Sequence, residues 1–273
     1  MSTDVIEGAK LTRTYDSMAQ FADEVGTGRR FHLHGSDSWT GNFSYDDALN
    51  AARFGWADQL SATMELASSA VEIARKRHLV DSYEPAWDVA GGAVDIGRFV
   101  TGEPECMISF PLAKRSNIGS VITLAANVVV SGAISSESIM KRGRLIVALA
   151  LLLGQLGHST ELWVSMRTGD YQPEAEIAVK VKGVDDVIDP AVIMFAFAHP
   201  AMSRHLAFQS FWTLPGRWGT ERNRSGMIGK PLMPSANLYP EEAILLPGVF
   251  SATDLDTESF LREHLRTLGL LAD

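Results

Sequence analysis

A single cysteine, Cys106, stands in 273 residues, so no intrachain disulfide can form. That usage fits a reducing compartment. Long apolar runs are missing as well. The longest, Leu145–Leu153, has about half the length that a membrane-spanning helix needs, and it reads as a buried helix. The first residues, Met1-Ser-Thr-Asp-Val-Ile-Glu7, hold no basic stretch ahead of an apolar one, so no signal peptide is expected. There is no basic excess. The net charge is −9, which disfavours broad binding to nucleic acid or to an anionic membrane. It leaves room for a local basic site or a basic partner. Gly-x-Ser-x-Gly, Walker, Gly-x-Gly-x-x-Gly and His-Glu-x-x-His motifs are all absent. No catalytic residue, metal or cofactor is therefore assigned.

What is present suits a globular α/β protein. Apolar residues make up 46% and charged residues 21%, enough to bury a sizeable core. Residues 1–80 read as mainly helical. Tyr15–Val25 repeats apolar side chains at helical spacing, and a second such run spans 57–77. Ser44 with Asp47 reads as a capping box. His32 and His34 flank Leu33; on a strand they would share a face, without a third metal ligand in sight.

Residues 81–212 read as an α/β core. Asp95 caps a short helix, and Ser120–Val130 is a strand buried on both faces. A long helix follows from Glu137 to Leu156, then strands at 160–166 and 175–181. Strand, crossover helix and strand imply a parallel pair. Asp189-Pro190 opens a further helix, His199-Pro200 interrupts it, and another follows to Phe211. Residues 213–273 read as an irregular arm, rich in Gly, Pro, Asn and Ser, with a final helix near 256–268.

Two places stand out as candidate binding sites. The first is the turn after the long strand, with Ser131, Gly132, Ser135 and Ser136. Ligands of parallel sheets bind at such strand ends, and a helix N-terminus holds anions; helix capping by the serines is the competing reading. The second is the segment 204–230. Arg204, Arg217, Arg222, Arg224 and Lys230 interleave there with Phe208, Phe211, Trp212 and Trp218. Such a mixture serves a protein interface or stacks and neutralises nucleic acid, or simply packs its aromatics on the core. Asp88, Asp95 and Ser131 form a further set that a non-standard enzyme site could use. Cys106 sits beside Glu105, and acidic neighbours oppose a reactive thiolate.

Ser120–Phe211 resembles von Willebrand factor A-type domains. Val129, Ser131 and Ala133 stand where that family carries its metal-binding Asp-x-Ser-x-Ser. The aspartate and one serine are missing, so the resemblance implies a degenerate, partner-binding domain without this metal. Trp39–Ala48 with Gly55-Trp56-Ala-Asp58, and Trp87–Phe99 with Gly102–Met107, resemble a group of proteins of tailed phages and prophages. So do Arg142-Gly143 and Gly157-His158 around the long apolar helix. The resemblance implies a phage-encoded binding protein, acting in virion assembly or on a host factor. A protein partner or self-association, a host-cytoplasmic or virion-associated location and no membrane are expected with it.

Overall fold

The computed structural model describes residues 2–28, 30, 36–65, 67–68, 86–90, 93–109, 121–155 and 158–251. His32, His34, the helix near 256–268 and residues 69–77 of the expected helix 57–77 lie outside the described residues.

One mixed sheet organises the chain. Its strands are β1 (Thr3–Glu7), β2 (Lys10–Tyr15), β6 (Val121–Asn127), β7 (Ser159–Gly169), β8 (Ala175–Lys182), β9 (Lys230–Pro231) and β10 (Ile244–Leu246). The order is β1-β2-β8-β7-β6-β10, and β9 pairs with the end of β7 beyond β6. β6 runs parallel to β7 and to β10, β2 runs parallel to β8, and β7–β8 is an antiparallel hairpin. The crossover from β6 to β7 is α4 (Ser136–Gln155), as strand, helix and strand implied. β3 (Ala86–Asp88), β4 (Ala93–Val94) and β5 (Met107–Ser109) form a separate small sheet around α3 (Ile96–Val100).

The sequence dictates two unlike faces on the main sheet, because side chains alternate along a strand. Leu124, Ala126, Leu162, Val164, Met166, Ile177 and Val179 are buried in one core cluster. α1 (Met18–Thr27), α2 (Tyr45–Phe54), α4 and α5 (Pro190–Ala198) contribute to that same cluster. The opposite face mixes small apolar residues, Ala125 and Ala178, with polar ones. Glu176, Ser165 and Asn127 are buried there beneath the segment 231–239. The Glu176 carboxylate accepts from the Ser165 hydroxyl at 2.9 Å and from the Ser235 amide at 3.2 Å. Lys10 Nζ stands 3.3 Å from it.

Local signals explain several elements. The Ser44–Asp47 box is formed in both directions at the start of α2. Asp189 caps α5, with Pro190 at its first turn. Asp95 caps α3. Gly143 lets α4 cross α5 closely: a Cβ there would lie 2.2 Å from Ala198 Cα.

Two readings need correction. Residues 3–15 are a β-hairpin joined to β8, not part of a helical segment. Tyr15 ends β2, and α1 begins at Met18 with Ser17 as its cap. After the short helix α6 (Phe208–Trp212), and within the arm read as irregular, Arg217–Ser225 is a helix, α7. A left-handed Gly226 ends it. The rest of 227–250 is largely extended or looped and supplies β9 and β10.

Candidate functional site

β6 ends where Asn127 is consumed structurally. Its Nδ2 donates to Arg167 O at 2.8 Å and Leu232 O at 2.7 Å, and its Oδ1 accepts from Val129 N at 2.9 Å. The turn that follows is tied down residue by residue. Ser131 N donates to Val249 O at 2.8 Å. Ser135 Oγ accepts from Ser138 N at 3.1 Å, so Ser135 is the N-cap of α4. Ser136 Oγ donates to Ser38 O at 2.6 Å. Trp39 Nε1 reaches across to Gly132 O at 3.1 Å.

Arg204 belongs to this same place. It is 1% exposed and donates to the carbonyls of Trp39 and Ile134 and to Ser136 Oγ, while its guanidinium lies 4.6 Å from the centre of the Trp39 ring. The structure thus joins one arginine of the basic-aromatic segment to the serine turn. It is a clamp between two loops, with carbonyls rather than carboxylates as partners.

The remaining basic residues go elsewhere. Arg222 is 0% exposed. It donates to Ile228 O at 3.0 Å, to Thr168 Oγ1 at 3.1 Å and to the carbonyl of Pro173. Arg217 lies over the Trp218 ring at 5.0 Å, and Trp218 Nε1 donates to Ala9 O at 3.2 Å. Lys230 pairs with Asp170 at 3.3 Å, and Arg224 is exposed. Phe211 is buried, while Phe208 and Trp218 are half-buried and pack on the core. These side chains do not form one basic-aromatic stripe. Hydropathy alone cannot reveal an arginine whose donors are taken up by carbonyl oxygens.

Beneath the end of β6 lies a cavity that the sequence did not point to. Arg142, His199 and Ser203 supply its polar wall, and Val128, Ile139 and Phe197 are among its apolar lining. It measures about 10 Å³, space for about one water. His199 is buried against Phe43, Trp56 and Phe195. Burial pushes its pKa down to about 4. A π-helical turn, Met202–Ala207, carries Ser203 and Arg204; such turns recur at functional sites.

Asp88 lies on β3 and Asp95 caps α3 in the small module, whereas Ser131 lies in the turn after β6 of the main sheet. Asp95 accepts from Trp87 Nε1 at 3.0 Å and from Arg98 N at 3.2 Å. Asp88 Oδ1 accepts from Val89 N at 2.6 Å. No group of three or more His, Cys, Asp or Glu able to hold a metal occurs among the described residues.

This small module presents a different surface. On α3, Ile96, Phe99 and Val100 are 74%, 65% and 76% exposed, and their spacing puts them on one helix face. Trp87 and Val89 are exposed nearby in sequence, and Arg98 stacks on Trp87 at 4.4 Å. Among the described residues within 86–109, Asp88, Asp95, Glu103 and Glu105 outnumber the one cation, Arg98.

A family model described as a domain of unknown function, DUF7192, matches residues 3–272. The chain belongs to this family. No curated protein and no solved structure matches it. The match takes in the hairpin, the core strands and the C-terminal arm together, in keeping with their shared sheet. No helix of the described residues is long and apolar enough to cross a membrane.

Proposed function

We propose that the chain is a non-enzymatic binding protein of tailed phages or prophages. It engages a protein partner in virion assembly or on a host factor, in the host cytoplasm or on the virion. The observation that carries this reading is the exposed Ile96–Phe99–Val100 face of α3. Exposed apolar groups gathered on one face mark interaction sites. The acids around it select the partner's chemistry: a basic, amphipathic protein segment, whose apolar side covers α3 and whose cations meet Asp88, Glu103 and Glu105. At the turn after β6, Ser135, Ser136 and Arg204 are engaged in holding loops together, which favours the α3 face over this turn as the partner surface.

Burying each of the three side chains contributes roughly 1.5–3 kcal/mol. The test uses the full chain and a labelled amphipathic Leu–Lys peptide, read by fluorescence anisotropy. Saturable binding is expected, weakened at least tenfold by Phe99→Asp, which leaves circular dichroism unchanged, and also weakened by Glu103→Gln with Glu105→Gln. Equal binding of a scrambled, non-amphipathic peptide would overturn the proposal, as would wild-type affinity in Phe99→Asp. A light-scattering mass that doubles with concentration and is halved by Phe99→Asp would replace the basic partner with a second copy.

A further inference from the structure

We infer that the cavity between β6, α4 and the π-helical turn is a binding site for a monovalent anion of halide size. The inference is independent of the α3 surface. Its basis is that every polar side chain on the cavity wall offers a hydrogen-bond donor. Arg142 can only donate. It is buried and gives two bonds, to the carbonyls of Asn127 (3.3 Å) and Pro247. None of the ion pairs among the described residues gives it a carboxylate. Ser203 is 1% exposed, and its hydroxyl has no protein hydrogen-bond partner. His199 Nδ1 accepts from Ala201 N at 3.2 Å. In the neutral ring the proton therefore sits on Nε2, which donates.

A ligand suited to this wall must accept rather than donate. It must offset a buried positive charge, since a guanidinium out of water and without a counter-charge is costly. It must also be close to a water molecule in size. Phosphate and carboxylate groups exceed that space, whereas a halide meets all three demands. The position agrees: the cavity lies at the carboxyl ends of β6 and β10, where sheets of this kind bind ligands.

Thermal unfolding of the full chain tests the inference, with sodium chloride or bromide replacing sodium gluconate at constant, low ionic strength. The expected result is a saturable rise in Tm, about 3 °C at ten times the dissociation constant. Chloride-35 NMR lines should broaden with protein and narrow when bromide competes. Ser203→Val, which fills the space with methyl groups, should abolish both effects. Equal Tm values in chloride and gluconate would overturn the inference. So would a chloride effect that persists with unchanged midpoint in Ser203→Val. Should that variant fail to fold, the milder Ser203→Ala must weaken halide binding several-fold, and unaltered binding there overturns the inference equally.

Discussion

Gly143→Ala pits two effects against each other whose signs differ. In a helix interior, alanine is favoured over glycine by about 1 kcal/mol. On propensity alone the substitution stabilises α4. The crossing with α5 says the opposite. An added methyl would lie 2.2 Å from Ala198 Cα, 2.3 Å from Phe197 O and 2.7 Å from Ala198 Cβ, against an optimal carbon–carbon separation of about 3.5–4.0 Å. Two of these three atoms are backbone, so no rotamer change relieves the clash, and the helices must part by more than about 1 Å. Such overpacking costs about 1–3 kcal/mol, or more where backbone must move. The neighbouring Arg142 would also be drawn from the carbonyls of Asn127 and Pro247. The net expectation is a loss of about 2–3 kcal/mol, or a fall in Tm of roughly 5–10 °C. Urea unfolding of wild type and variant measures it. Wild-type stability, or a gain near 1 kcal/mol, would refute the argument from the helix crossing.

Three further predictions use buried polar groups. Glu176→Gln removes the charge facing Lys10 and Arg167 on the polar face; a loss of about 3 kcal/mol in urea is expected, with residues 231–239 becoming open to limited proteolysis. His199 titrates near 4 in the fold against 6.5 when unfolded. The unfolded chain therefore binds the extra proton between those values. Stability should be level above about pH 6.5 and fall as pH drops toward 4, by about 3 kcal/mol in all. His205, also lowered by burial, adds to the slope in the same direction. His199→Asn should remove most of the slope, and an unchanged pH profile would count against burial as its cause. Arg222→Lys replaces a fork that spans Ile228 O and Thr168 Oγ1 with a point charge; about 2 kcal/mol should be lost. Exposed Arg224→Lys should stay within about 0.5 kcal/mol of wild type.

The parts legible from sequence are those with a local physical code. A serine three residues before an aspartate made the α2 box, and Asp189-Pro190 started α5. The run of β-branched and small residues marked β6 because a strand buried on both faces has no polar alternation. The N-terminal hairpin was missed because every residue of β1 is exposed, so no buried face imprinted a pattern. α7 was missed because its polar sequence holds one large apolar residue, Trp218. Its stability comes from Arg222, which reaches beneath it. At the serine turn, capping by Ser135 was readable. The arrival of Arg204 and Trp39 was not, because those contacts span 70 and 93 residues of sequence. The cavity escaped notice for the same reason: Arg142, His199 and Ser203 come from two separate stretches of chain.

Hydrogen–deuterium exchange of the full chain, with and without a saturating amphipathic Leu–Lys peptide, tests the binding role most directly. The α3 surface predicts slowed exchange concentrated in residues 93–109. Protection confined to the β1 edge or to residues 217–230, or no protection at peptide concentrations that saturate anisotropy, would contradict it.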